Sequence, residues 1–305
     1  MSLFLLPTMA SNSESHLLSK SKSDVHSSFV ENDSGENFRA FYESVGERYP
    51  EEELVYQTLR GRLRRRFVLS YLVRLRGRLL DLGCNRGVYV QAYQNGPVVG
   101  VDLAYSVLRV AARRCPHAGF VQGDAQNLAF FRDCVFDAVL CSEVLEHVPH
   151  PERLLRETWR VLVPGGRLFL TTPNYKKARP RWVALGVMKA YGVEGIREGR
   201  YYHTAFRPEE LQLMAEEVGF EVLEAGTFEK EVKYSSRIPV LFFHLLRLLN
   251  KTLLRSEAVQ AFNERQLELW TSRTYAFLRR MGLDRLCERW VREGVRSYLL
   301  AVRRS

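Results

Sequence analysis

The rhythm of hydrophobic and polar positions changes several times along this chain, and each change marks an element. Residues 1–36 are rich in Ser with scattered Asn, Asp, Lys and His and carry no apolar period, which predicts a disordered tail. From Asn37 onward Phe38, Phe41, Tyr42 and Val45 fall at helical spacing. A second helix is expected over about 51–74, with Leu54, Tyr56, Leu59, Leu63, Phe67, Leu69 and Leu72 as its apolar positions. Short apolar runs then alternate with amphipathic stretches, so strands are expected near Leu79, Val98, Phe120, Val139, Leu168, Val222 and Tyr298. Alternation of this kind predicts an α/β fold, a mainly parallel sheet with helices on both faces. Pro208 suits a helix start, Leu211, Met214 and Val218 share one face, and Gly219 ends it.

Two stretches stand outside the alternation, residues 175–206 after the fifth strand and residues 229–293 before the last. The second contains a helical run over 238–255 with Leu241, Phe242, Leu245, Leu248, Leu249 and Leu253 on one broad face, interrupted elsewhere by His244, Arg247, Asn250 and Lys251. The expectation is that this face packs on later apolar residues such as Leu267, Trp270, Tyr275, Phe277, Leu278, Leu283, Leu286 and Trp290, since apolar helical stripes are usually core. The alternative is an interfacial helix or a lid over a greasy substrate. No apolar run reaches the roughly 18 residues of a membrane span. With 305 residues and 46% hydrophobic content, one domain over 37–305 is expected, with a helical cap at 37–76 and a cofactor half at 77–174.

The run LLDLGCNRGVYV, residues 79–90, reads as a buried strand, a glycine turn and a helix start. A dinucleotide site requires GxGxxG, but counting from Gly83 the third position is Asn85 and the sixth Val88. The turn has the form D-x-G-x-N-x-G, and Asn tolerates a positive φ. Asp102 follows at the end of VVGVD, about twenty residues on, where an acid can accept both hydroxyls of a ribose. FVQGDAQNL (120–128), FDAVLCSEVLEHV (136–148) and RVLVPGGRLFLTTPN (160–174) complete a series of five segments.

These segments, in this order, resemble the class I S-adenosylmethionine (SAM)-dependent methyltransferases, whose first motif has glycine where this chain has Asn85. The resemblance implies a Rossmann-like sheet of seven strands in the order 3-2-1-4-5-7-6, the seventh antiparallel. It implies SAM as cofactor, with contacts at Asp81, Gly83, Cys84, Gly87, Asp102, Leu103, Asp124, Ala125 and Ser142. Asp102 would hold the ribose, Asp124 would lie on the adenine side, and the turn from Gly83 to Gly87 would meet the methionine moiety. Helices before the first motif would fold over the cofactor, and an arginine there would contact its carboxylate, with Arg66 as a candidate. The run Arg60, Arg62, Arg64, Arg65 and Arg66 otherwise reads as a solvated helix face, or as a patch for a phosphate or carboxylate.

SEVLEHV, residues 142–148, offers Glu143, Glu146 and His147, which a helical turn would bring to one point. Two carboxylates and an imidazole suit a divalent ion. The segment resembles that of the ubiquinone-biosynthesis O-methyltransferases, where the matching residues hold a magnesium-type ion, so Mg2+ on Glu143, Glu146 and His147 is expected, with His147 and Glu143 as catalytic residues. Alternatively His147 alone is a general base, or the segment only ends the strand. The function expected is methyl transfer to a small or lipid-like acceptor, at oxygen. A net charge of +10 and Lys176, Lys177, Arg179 and Arg181 keep an RNA methyltransferase open as an alternative, but no added RNA-binding module is present and nucleic acid is not the expected partner. A non-catalytic scaffold that binds a membrane or a subunit is a further alternative, against which the retained acid at Asp102 argues. Five cysteines without a CxxC pair, and an N-terminus without a basic leader, predict a cytoplasmic protein, with a peripheral membrane contact favoured by the charge. Nothing in the sequence specifies an oligomeric state.

Overall fold

The computed structural model describes residues 35–250, 252 and 256–304. Of the expected tail only the last two residues are described, and they begin helix α1 (Gly35–Arg48); the rest lies outside the described residues. The helix expected over 51–74 is two helices, α2 (Glu51–Val55) and α3 (Leu59–Leu72). The break lies at Thr58, whose hydroxyl accepts the Gly61 N–H at 3.0 Å as the N-cap of α3. Gly61 packs against the end of α2 so closely that a Cβ there would lie 2.1 Å from the Val55 carbonyl oxygen.

The alternating core follows as β1 (Leu79–Leu82), α4 (Val88–Ala92), β2 (Val98–Asp102), α5 (Tyr105–Arg114), β3 (Gly119–Gln122), β4 (Phe136–Ser142), α6 (Pro151–Val161) and β5 (Leu162–Pro173). A short hairpin of β6 (Trp182–Ala184) and β7 (Arg200–Tyr202) comes next, then α7 (Pro208–Val218), β8 (Phe220–Phe228), α8 (Lys230–Leu249), α9 (Glu257–Arg280), α10 (Asp284–Arg289) and β9 (Arg296–Arg303). The main sheet runs β3-β2-β1-β4-β5-β9-β8, while β6 and β7 pair only with each other. Counted among its own strands, this is the expected order 3-2-1-4-5-7-6, with β9 antiparallel to both neighbours. Leu82 stands opposite Val101 and Cys141, so β1, β2 and β4 end level and their exit loops share one edge.

Alternate residues of each strand enter different apolar layers. Leu80, Leu82, Leu154, Leu155 and Leu211 fill one, and Leu79, Val90, Leu108 and Phe169 fill the other. Helix α3 is pinned to the second layer by rings: Tyr71 stacks on Phe169 with centroids 4.3 Å apart, and Phe67 stacks on Phe228 at 4.0 Å. Glu268 of α9 accepts the Leu59 N–H at 2.7 Å and so closes the start of the same helix. These contacts fix α3 beside the level edge of the sheet.

Helix α8 does not bury the face expected from the sequence. Val232, Tyr234, Pro239 and Phe243 are its buried apolar residues, whereas Leu241, Phe242, Leu245, Leu248 and Leu249 are exposed, and Lys251 and Leu253 lie outside the described residues. Leu267 is buried, but Trp270, Phe277, Leu283, Leu286 and Trp290 are also exposed. Five of the eight residues expected to cover the stripe are thus themselves turned to the surface, with Tyr275 and Leu278 half-buried. Among the described residues no helix is long and apolar enough to cross a membrane.

Phe169→Ala should lower the unfolding free energy by about 3–5 kcal/mol in a urea titration, because the fully buried ring would leave a cavity beneath Tyr71. A loss below about 1 kcal/mol would show that this stack does not hold α3 in place.

Candidate functional site

The exit of β1 must pass close to the exit of β4. Gly83 adopts a φ of 67°, and a Cβ there would sit 2.3 Å from Val144 Cγ2, so a side chain is excluded on two counts. Asn85 also takes a positive φ, 48°, and does what glycine could not. Its side-chain amide donates to Glu51 Oε2 at 2.8 Å and ties α2 over the turn, while its backbone N–H donates to Asp102 Oδ2 at 2.9 Å. The other oxygen of Asp102 accepts the Ala104 N–H at 2.9 Å, so the carboxylate is held in one orientation. Burial pushes the Asp102 carboxyl up to about 6, with the Ala104 and Asn85 amides opposing the rise.

A cavity of about 1260 Å³ opens along this edge. A single ligand site spans roughly 300–1,000 Å³, so there is room for a cofactor and a second molecule. Gly83, Cys84, Asp102, Leu103, Asp124, Ala125 and Ser142 line it. Asp81 and Gly87 do not. Asp81 is buried in β1, where burial and then the Asp102 charge hold its carboxyl well above the usual range, and its Oδ2 has no hydrogen-bond partner among the described residues. Gly87 closes the turn behind the cavity as the N-cap of α4, with a φ of 79°.

The other half of the cavity is built around the exit of β4. Glu143 has a φ of 60°, and the chain then makes one 3₁₀ turn, Leu145–His147, instead of the helical turn expected. The Glu143 side chain is engaged by two arginines. Arg64 of α3 and Arg296 of β9 each approach its Oε2 at 3.1 Å, and the Thr171 hydroxyl donates to Oε1 at 3.1 Å. Burial alone would raise the pKa of Glu143, but Arg296 and Arg64 outweigh it and hold the carboxyl below its ordinary value. Glu146 has no such partners: burial and the Glu143 charge push its carboxyl well up, and the Thr172 hydroxyl donates to its Oε2 at 3.1 Å. Burial lowers His147 to about 4, so its imidazole is neutral at pH 7. Its Nε2 lies 3.9 Å from Glu146 Oε1, and its ring centroid lies 4.9 Å from that of His203.

This arrangement corrects the metal site. Among the described residues no group of three His, Cys, Asp or Glu side chains is placed to hold an ion, and a cation on Glu143 would meet the charges of Arg64 and Arg296. Glu143, Glu146 and His147 therefore do not fit Mg2+, and Glu143 is engaged in ion pairs rather than free for catalysis. The arginine run divides as well. Arg60 and Arg64 line the cavity, whereas Arg66 pairs with Glu231 at the surface and does not reach it. Tyr42, Glu51, Tyr201, His203, Lys233, Glu268 and Arg296 also line the cavity and were not singled out for it in the sequence. They come from the cap, the hairpin segment, the insertion and the start of the last strand, which converge only in the fold.

Residues 80–170 match the model of the methyltransferase domain family. A ubiquinone biosynthesis O-methyltransferase of Idiomarina loihiensis is 35% identical over 153 residues, 47% of this chain and 61% of that protein. One of Xanthomonas axonopodis pv. citri is 33% identical over 169 residues, 52% of this chain and 69% of the relative. For relatives from Idiomarina loihiensis and Pseudomonas aeruginosa the matched part spans 61% to 65% of their length. Among solved structures, a phosphoethanolamine N-methyltransferase of Haemonchus contortus, in complex with phosphomonomethylethanolamine and S-adenosylhomocysteine, shares the fold with a TM-score of 0.50 at 17% identity, over 88% of this chain and 61% of that one. A relative matched over more than two thirds of its own length, together with the sheet order and the turn after β1, leaves one family: the chain belongs to the class I SAM-dependent methyltransferases.

Proposed function

We propose that the protein is a cytoplasmic enzyme that binds SAM at the ends of β1, β2 and β3 and methylates an oxygen of a small, lipid-like acceptor. The observation that carries this is the Asp102 carboxylate, locked by two backbone N–H groups at the cavity edge and aligned to take both hydroxyls of a ribose. Gly83, Cys84 and the turn closed by Gly87 face the methionine moiety, Leu103, Asp124 and Ala125 the adenine, and Ser142 the reacting end, while Asp81 acts from behind the strand. Oxygen as the target and a lipid-like acceptor rest on the name of the curated relatives, and the apolar wall of Phe38, Phe41, Leu185 and Val187 suits such a molecule. Free cysteines at 84, 115, 134, 141 and 287 are in keeping with a reducing compartment.

When bound, SAM supplies a sulfonium methyl carbon that the acceptor oxygen takes by in-line displacement, the S–CH3 electron pair remaining on sulfur as S-adenosylhomocysteine. The chain must align the acceptor, exclude water and receive its proton. Helices α1 and α2 and the β6–β7 hairpin wall the cavity from solvent. Glu146 and His147 both line the cavity, with Glu146 Oε1 3.9 Å from His147 Nε2. Burial and then the Glu143 charge raise Glu146, whereas burial lowers His147 to about 4. Glu146 is assigned the proton on that placement, and His147, neutral at pH 7, orients the acceptor hydroxyl.

Calorimetry should show binding of S-adenosylhomocysteine, weakened about 10²–10⁴-fold in Asp102→Ala, the value of two lost charge-assisted hydrogen bonds. No binding to the folded wild type would overturn the proposal. Because binding needs the ionised Asp102, and its carboxyl sits at about 6 in the free protein, affinity should rise from pH 5 to pH 7 and then level off. The slope should vanish in Asp102→Asn; a flat wild-type profile would mean that this carboxylate is not the ribose ligand.

Labelled SAM incubated with a lipid extract should yield label in the organic phase that survives alkali, as a methyl ether does and a methyl ester does not. Glu146→Gln should lower that rate about 10²–10⁴-fold with S-adenosylhomocysteine affinity retained, and a chelator should leave the wild-type rate unchanged.

A further inference from the structure

Helix α8 has one face packed and one bare. Val232, Pro239 and Phe243 are buried, while Ile238, Leu241, Phe242, Leu245, Leu248 and Leu249, spaced three and four apart, form a continuous stripe on the outside. Ile238 and Leu241 are each 76% exposed, Phe242 65% and Leu245 61%. Beyond it in the same insertion Phe277, Met281, Leu286 and Trp290 are exposed as well, Trp290 by 72%. Single exposed apolar side chains are ordinary on a protein surface, but a whole helical stripe of them marks a surface that is covered in use.

Charge identifies what covers it. Residues 273–292 hold six arginines, Arg273, Arg279, Arg280, Arg285, Arg289 and Arg292, against two acids, Asp284 and Glu288. Arg237 and Arg247 lie on α8 itself, and the whole chain carries +10. A second copy paired through this face by two-fold symmetry would bring the same cationic residues together. An anionic lipid surface offers both what the stripe lacks and what the arginines attract.

We propose that α8, with the exposed apolar residues of the following helices, lies in the interface plane of an anionic bilayer, its stripe at the acyl boundary and the arginines among the headgroup phosphates. Spanning is not involved, since among the described residues no helix is long and apolar enough to cross a membrane. The helices that bear this face also reach the cavity, where Lys233 from the first turns of α8 and Glu268 of α9 line the wall. On the function proposed above, a lipid-like acceptor would so be taken up beside the bilayer; the docking itself does not rest on that reading.

The test is flotation of the full chain with vesicles of phosphatidylcholine alone or mixed with phosphatidylglycerol, at low and high salt. The protein should float with the anionic vesicles, less so at high salt, and weakly with the neutral ones. L241E together with F242E should reduce flotation at least about tenfold, with the circular dichroism spectrum and S-adenosylhomocysteine affinity unchanged. R285E together with R289E should abolish the preference for the anionic lipid. Flotation of L241E/F242E equal to wild type would overturn the proposal. So would a wild-type dimer that the same pair of substitutions turns into a monomer, because a second copy would then cover the face. Vesicle binding by a protein that fails to bind S-adenosylhomocysteine would uphold the docking face and count only against the methyltransferase reading.

Discussion

Three parts of the chain that are far apart in sequence meet at the Glu143 carboxylate and a fourth joins them through Arg296, and the site takes its shape from that meeting. Arg64 comes from the cap, Arg296 from the start of the last strand, and Arg296 also lies 3.1 Å from Glu229, where the insertion begins. A buried ion pair adds little stability over apolar residues of the same shape, because desolvation offsets the attraction. What it imposes is geometry. With any one member displaced, a charge would be left in the interior without its counterion, so cap, sheet and insertion are confined to the relative positions that keep all of them paired. The left-handed backbone of Glu143 is the local cost, and it turns the following residues, Glu146 and His147, toward the cavity.

The same pairing separates acids that burial alone would treat alike. Asp81, Asp102 and Glu146 are each driven up by burial, and Glu143 is held down because it alone has two guanidinium partners within 3.1 Å. Asp102 and Glu146 line the cavity and Asp81 lies buried behind it. Hydrogen-bond donors or positive charge brought beside Asp102 and Glu146 would favour their ionised forms, whereas Glu143 already has its counterions. The chemistry of the edge is thus divided between one carboxylate spent on architecture and others that remain responsive.

The sheet was legible because its signals are local: apolar runs of four to seven residues, glycines where loops cross, and an acid at the end of β2. Asn85 could be placed in a positive-φ turn from its residue type, although its bond to Glu51 could not. The failures share one cause, which is that a local period was read without its partner. The expected convergence of Glu143, Glu146 and His147 assumed a helical turn, and neither the positive φ of Glu143 nor its pairing with Arg64 and Arg296 is encoded in the spacing. Arg66 stays outside the cavity for a reason the pattern did contain. Arg60 and Arg64 repeat every four residues and continue into Phe67 and Tyr71, the inward stripe of α3, from which Arg66 is rotated away. For α8 the stripe itself was read correctly, but which side of a helix is covered depends on where its neighbour lies.

The insertion that carries α8 is not an appendage free to swing. It leaves the sheet at Glu229, beside Arg296, and returns at Gly294, whose N–H donates to the Thr227 hydroxyl at 2.8 Å and where a Cβ would lie 1.7 Å from the Phe228 carbonyl oxygen. Between those ends Glu268 caps α3, the helix that also supplies Arg64. Three anchors at the site hold a helix pair whose outer face is bare. These anchors fix the direction of that face relative to the cavity, so whatever covers it meets the protein at a set angle to the site.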